Sequence, residues 1–307
     1  MLTHPVRESV QDPILNAEQV EAFHRDGVLT VPDAVTPGQL AALRADMDAW
    51  VSESRHHDGP WGTTVDGRPR FDVQPGHSAD RPALRRIQAP TEISDAHLAV
   101  AVDSPMVDMV AALIGADVRL HHTKVNCKQP GSGTEVRWHQ DFPYTPHTND
   151  SVVTALLMVD EVTDENGPLE VAPGSHRGPI HTLWHDGAFT GAVADVVADD
   201  AARRAVRCIG SAGSVCLMHT RLLHASASNR SVRPRTLFIC VYSAGDAHPC
   251  SPNPVPTVHQ GRFVRGSDPG RVRVESLEVD APEYPKVASF FTQQEGSTPR
   301  ESDGSAL

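Results

Sequence analysis

The tetrapeptide Trp138-His139-Gln140-Asp141 sets a histidine and a carboxylate two positions apart. On a β-strand or at its margin that spacing turns both side chains to one face, so one metal ion can be gripped by both. Far downstream, Leu222-Leu223-His224-Ala225-Ser226 offers a second histidine. Two imidazoles and one carboxylate on one side of an ion form the facial set of non-haem iron(II) oxygenases, which leaves positions open for a cosubstrate and O₂. An isolated His-x-Asp pair is more often a solvated loop, so the elements around it carry the decision.

Those elements are legible in outline. Asn16 to Gly27 reads as a short helix with a capping residue at its start and Gly at its end, and Val28 to Val31 as a strand. Thr36-Pro37-Gly38 opens a second helix through Leu40, Leu43, Met47 and Trp50. Ser52 to Pro82, rich in His, Asp, Gly, Pro and Arg, reads as one long loop, either a lid or disordered. A further helix is expected from Ala96 to Ile114. From Val118 onward β-like runs follow: Val118 to Lys128, Val152 to Val162, Leu169 to Val171, Ser214 to His219 and Thr236 to Ser243. Helices first and antiparallel strands later predict an α+β chain with a mainly β core, a sandwich or barrel. The expected organisation is one domain over 1–294, with a helical part at 15–115, a core at about 117–245 and a C-terminal extension, then a flexible tail at 295–307.

Composition narrows the partners. A formal charge of -12 argues against general affinity for nucleic acid or anionic lipid. No apolar run approaches the ~18 residues of a membrane helix, and the first residues lack the apolar core of a signal peptide, so a cytoplasmic location is expected. Cys127, Cys208, Cys216, Cys240 and Cys250 are odd in number and scattered, which reads as free thiols rather than a disulfide framework or a thiolate metal site.

Four ordered stretches carry a resemblance. Lys128-Gln129-Pro130-Gly131-Ser132, Trp138-His139-Gln140-Asp141, Asn166-Gly167-Pro168-Leu169-Glu170-Val171-Ala172-Pro173-Gly174-Ser175-His176, and His224 through Arg235 together resemble the phytanoyl-CoA dioxygenase (PhyH) family, over roughly residues 15 to 250. The resemblance implies a double-stranded β-helix (jelly-roll, cupin-like) with flanking helices, and a dioxygenase using Fe(II), 2-oxoglutarate as cosubstrate and O₂. It makes His139, Asp141 and His224 the iron ligands and Arg235 the clamp on the distal carboxylate of 2-oxoglutarate. A guanidinium suits that role because its planar fork meets a carboxylate through two parallel hydrogen bonds. The bland alternative is a surface arginine like Arg230 or Arg233. Ser226, on the same strand face as His224, would add a hydroxyl to that carboxylate. Lys128 matches the Lys of the family's Lys-Pro-Pro-Gly run, although Gln129 stands where Pro is common, and it either approaches the cosubstrate or caps a strand end.

Other residues are weighed against it. Pro173-Gly174-Ser175-His176 reads as a structural turn despite its histidine. His121, His122, His147 and His219 read as core or surface residues, and His219, five before His224, would face the opposite way on a continuous strand. In the resemblance a small residue at position 141 accompanies halogenation, so Asp141 favours hydroxylation. The segment with Trp61, Arg68, Arg70, Phe71 and Asp72, the loop with Phe142, Tyr144 and His147, and the Arg262 to Arg265 segment are candidates to cover the mouth; Arg70, Phe71, Phe142 and Tyr144 are the substrate contacts expected from them. No strong basic cluster for CoA phosphates is evident, and a small specialised metabolite or amino-acid-like substrate is expected. Desaturation, cyclisation, acyl-CoA hydroxylation, a non-catalytic jelly-roll and a zinc hydrolase on the same triad stay open here. Oligomeric state is left open.

Overall fold

Asn16 caps the first helix, α1 (Ala17–Asp26), reciprocally: Asn16 Oδ1 accepts from Gln19 N and Gln19 Oε1 accepts from Asn16 N, both at 2.9 Å. The computed structural model describes residues 13–131, 133–283 and 294, so the tail expected at 295–307 lies outside the described residues. Gly27 ends α1 in the left-handed region at φ 77°, and its carbonyl accepts from His219 N. A Cβ there would stand 2.4 Å from His176 Nδ1 and 2.9 Å from Leu222 Cδ1. Left-handed backbone costs an L-residue about 1–2 kcal/mol and the overlap adds to it. Gly27→Ala is therefore expected to lower the thermal midpoint by roughly 2–4 °C for each kcal/mol lost; an unchanged midpoint would refute this packing.

The chain continues through β1 (Val28–Val31), α2 (Pro37–Ser54), β2 (Phe71–Val73), β3 (Leu84–Gln88), α3 (Asp95–Val102), α4 (Pro105–Ile114), β4 (Val118–Lys128), β5 (Val136–His139), β6 (Val152–Met158) and β7 (Leu169–Val171). It ends with the β8 (Trp184–His185) and β9 (Ala188–Phe189) hairpin, α5 (Asp195–Arg203), β10 (Val206–Cys208), β11 (Val215–His219), β12 (His224–Ser226), β13 (Arg235–Ala244) and β14 (Phe263–Arg265). An eight-stranded sheet runs β1-β11-β6-β13-β4-β3-β2 with β14 on β4, and a four-stranded sheet runs β10-β7-β12-β5. Every ladder is antiparallel among the described residues.

Both faces of the large sheet are covered, and period-two alternation sorts its residues between them. Val153, Ala155, Leu157, Val215, Leu217, Phe238 and Cys240 pack outward with Leu43, Val107 and Val110 of the helices. Leu156, Met158, Cys216, Met218, Leu237 and Ile239 pack inward with Leu169, Val171 and Cys208 of the small sheet. In β4 the phase slips once: Val241 pairs with His122 but Tyr242 with Leu120, leaving His121 as the extra residue of a bulge. Leu120 therefore points to the helices, while His122, Lys124, Asn126 and Lys128 all line the inter-sheet cavity.

Three expectations are corrected here. The loop read over 52–82 begins after α2 has run to Ser54 and contains β2. The helix read from 96 to 114 is two helices, because Ser104 is extended and Pro105 starts the second. That same stretch, Asp95–Ile114, has a mean hydropathy of 1.5 over a length able to cross a membrane, contrary to the absence of such a run expected above; half of it is buried within the protein.

Candidate active site

β5 and β12 lie side by side with His139 and His224 in register, which brings their rings to 4.1 Å between centroids. Asp141 follows β5 in a helical turn, φ −74° and ψ −31°, so it does not share the strand face expected of it; the turn folds its carboxylate back over the strand end. Asp141 Oδ1 stands 3.7 Å from His139 Nε2 and 3.6 Å from His224 Nε2, and one ligand atom from each of the three residues lies within 4.8 Å of the others. Those separations suit one ion at the ~2.0–2.2 Å bond lengths of first-row metals.

Second contacts aim the donors. His139 Nδ1 donates to Arg137 O at 2.8 Å and His224 Nδ1 to Leu222 O at 2.9 Å, the tautomers that leave each Nε2 lone pair for a metal. Thr154 Oγ1 donates to Asp141 Oδ2 at 2.8 Å, leaving Oδ1 for the same point. Burial, then the neighbouring His224, pushes His139 down to about 3, so its ring is neutral. Burial works to raise Asp141, but His224, Lys124 and His139 outweigh it and hold the carboxyl below its ordinary range. Ser175 Oγ, in the turn read as structural, accepts from Leu223 N at 2.9 Å and fixes the residue before His224.

Toward another end of the same cavity, Arg235 and Lys128 are cross-strand partners. Arg235 is buried, and the hydrogen bond its side chain makes among the described residues runs from Nε to Gly167 O at 3.2 Å. Burial pulls it down to about 10. Lys128 Nζ donates to Ser226 Oγ at 2.8 Å, to Ser226 O at 3.2 Å and to Ala227 O. Burial, with Arg235 beside it, pulls Lys128 down to about 6. Two desolvated cations and a hydroxyl, with no carboxylate paired to them among the described residues, make a seat for an anion.

The cavity, about 110 Å³, is apolar along Leu156, Leu169, Met218, Leu237 and Ile239. Among the described residues, five cationic side chains also line it, Arg68, Arg86, Lys124, Lys128 and Arg235, against the single carboxylate of Asp141. This basic cluster was not evident in the sequence because its members come from distant segments, the loop holding Arg68 and the strands β3, β4 and β13.

Of the substrate contacts expected, Tyr144 lines the cavity, with its hydroxyl donating to Gly191 O at 3.1 Å. Arg70, Phe71 and Phe142 do not. Arg70 is a buried structural cation, bonded to Gln88 O, Ala89 O and Thr63 O and paired with Glu92 at 2.6 Å. Phe71 stacks on Trp61 at 4.4 Å in the outer core, and Phe142 is fully buried. Asp72 pairs with Arg85, His147 is buried beside His121, and Arg265 reaches away to Asp108. Arg68, named in the first of those segments, does line the cavity, together with Pro254 and Val255 from beyond the region of resemblance. His219 is absent from the triad, though not by strand parity: β11 and β12 belong to different sheets, and its ring packs on His176. Thr154, Arg86 and Lys124 escaped the sequence reading; inward alternation on β6 would have found the first.

A profile described as phytanoyl-CoA dioxygenase (PhyH) matches residues 23–237. The probable alpha-ketoglutarate-dependent hypophosphite dioxygenase of Stutzerimonas stutzeri is 36% identical over 170 residues, covering 54% of this chain and 59% of that protein. The L-proline trans-4-hydroxylase of Streptomyces griseoviridis is 27% identical over 267 residues, covering 80% of this chain and 92% of that protein. Among solved structures, EctD from S. alaskensis with 2-oxoglutarate and 5-hydroxyectoine superposes with a TM-score of 0.61 at 26% identity, covering 87% of this chain and 90% of that one.

Proposed function

We propose, from the premise that the chain belongs to the phytanoyl-CoA dioxygenase family, that it hydroxylates a small molecule of the specialised-metabolite or amino-acid type. Its fold is the double-stranded β-helix, and it is an iron(II)- and 2-oxoglutarate-dependent dioxygenase. The observation that carries the site assignment is the convergence of two Nε2 atoms and one carboxylate oxygen, each aimed by a second hydrogen bond, in the cavity that also holds Arg235. The donor set fits iron(II): neutral imidazoles and a carboxylate on one side, without the fourth ligand that would close a tetrahedral site.

In this reading His139, Asp141 and His224 hold the metal, while Arg235, Lys128 and Ser226 receive the distal carboxylate of 2-oxoglutarate. Bound iron supplies the coupling of O₂ reduction and 2-oxoglutarate decarboxylation, giving succinate and CO₂, to oxidation of a substrate C–H bond. The apolar walls from Leu156, Leu237 and Ile239 exclude water around the reacting atoms. Tyr144, packed edge-on against His139 at 6.2 Å, holds that ring and shapes the neighbouring wall.

The test is succinate release from 2-oxoglutarate with iron(II) and O₂, measured with a panel of small metabolites. A product heavier by one oxygen supports hydroxylation; loss of two hydrogens or ring closure keeps the class and changes the reaction. No succinate under any condition overturns the reading. Thr154→Val should leave the fold intact and weaken iron binding about tenfold, since outer hydrogen bonds to metal ligands are worth about 10–100-fold. Metal titration checks this, and an unchanged affinity would remove Thr154 from the site.

A further inference from the structure

Two of the cavity's cations, Arg86 and Lys124, are not among the residues assigned above to iron or to the distal carboxylate of 2-oxoglutarate. Arg86 is buried, and its Nε has no hydrogen-bond partner. The nearest candidate, Asp72, stands opposite it in the β2–β3 register but is bonded by Arg85 Nε at 2.7 Å. Lys124 also lines the cavity, and no acid lies within ion-pairing distance of it among the described residues. Its field falls on Asp141, whose carboxylate is committed to the metal in the reading above. Arg86 pairs with Asn126, and Gln88 with Lys124, so the two cations are diagonal neighbours, two register positions apart on adjacent strands.

They are not a second hold on the distal carboxylate of 2-oxoglutarate. Lys124 precedes Lys128 by four residues on β4, about 13 Å along an extended strand, and Arg235 pairs with Lys128 at the far end. A buried guanidinium and ammonium without counter-ions are costly unless an anion arrives. We propose that Arg86 and Lys124 seat a compact oxyanion of the substrate, a carboxylate or phosphorus oxyanion, and so orient the C–H or P–H bond to be oxidised toward the His139, Asp141 and His224 cluster. The proposal rests on the oxygenase reading for the identity of the occupant as substrate. An acid is thereby selected over its uncharged amide or ester, since only the anion satisfies both cations.

The probes are L-proline with L-prolinamide, which keeps the ammonium and replaces the carboxylate by an uncharged amide, and methylphosphonate and hypophosphite with dimethyl methylphosphonate. Each is titrated calorimetrically, under nitrogen, into enzyme already holding iron(II) and saturating 2-oxoglutarate. At least one acid is expected to bind at least tenfold tighter than its uncharged counterpart, the acid that binds identifying carboxylate or phosphorus chemistry. Lys124→Gln should weaken that binding at least tenfold and Lys124→Arg restore it to within about threefold; Arg86→Gln should match Lys124→Gln. If Arg86→Gln fails to fold, the lysine pair decides alone. Equal binding of acid and uncharged partner, no binding by any acid, binding lost as 2-oxoglutarate is raised, or unaltered binding in Lys124→Gln each overturns the site. The oxygenase reading fails by a different measurement, absence of O₂-dependent succinate release from the wild type with every probe and without any.

Discussion

Asp141→Gly is expected to abolish hydroxylation and to weaken iron binding by more than the factor of about 10–100 that the loss of an outer-shell hydrogen bond costs. Its carboxylate contributes the one anionic donor of the site, and it is held in place by Thr154. Removing it leaves two neutral imidazoles, His139 and His224, which retain a metal only weakly. Metal content and product mass are measured together, because a folded variant with iron but no product and a variant without iron fail for different reasons. The same assay on the wild type in chloride buffer tests the chemistry: product heavier by one oxygen is expected, and a chlorinated main product would overturn the role given to Asp141. Undiminished turnover by Asp141→Gly would remove the residue from the metal site.

Arg235→Ala should raise the Michaelis constant for 2-oxoglutarate while leaving iron binding close to wild type. Truncating one partner of a buried charge pair costs about 2–5 kcal/mol, which is roughly thirtyfold to several thousandfold in affinity. The upper part of that range is expected, because Lys128 Nζ already donates to Ser226 and Ala227 and burial disfavours its charge, so it cannot replace a bidentate fork. Arg235→Lys recovers part of the loss. An unchanged dependence on 2-oxoglutarate would refute the clamp and return Arg235 to a packing role beside Gly167.

How much of this was legible follows from the range of each signal. Helix caps are local, and Asn16 with Gln19 and Thr36 with Gln39 form the boxes their spacing predicts. The strand at Val28–Val31 and the long strands through Lys128 and Arg235 show in hydrophobic runs. β3 does not, because its adjacent Arg85 and Arg86 break the apolar pattern while both are buried. The triad was reachable because its residue types are rare in that order. Its geometry was not: Asp141 reaches His139 through a turn, and a continuous strand would have been the wrong support. The bulge at His121 leaves no mark in composition, yet it lets Leu120 face the helices while His122, Lys124 and Asn126 of the same strand line the cavity. Arg70 and Phe71 looked like contacts because Arg and aromatic residues in loops often are; the structure spends them on Glu92 and Trp61.

The order of strands in the two sheets has a consequence for how the enzyme is made. β1 pairs with β11, β4 with β13 and β5 with β12, so these ladders join segments far apart in the chain, while β2–β3 and β8–β9 are local hairpins. Such topology folds slowly, since each pairing closes a long loop before any contact rewards it. A nascent chain that has emerged through Asp141 holds two of the three proposed ligands, and His224 comes into register with His139 once β12 closes on β5 and β7. Iron cannot nucleate this fold; it can only bind the finished one, and by mass action it then lowers the population of reopened molecules. Supplying iron after refolding should therefore recover as much active enzyme as supplying it throughout, while the slow step keeps the same rate in both.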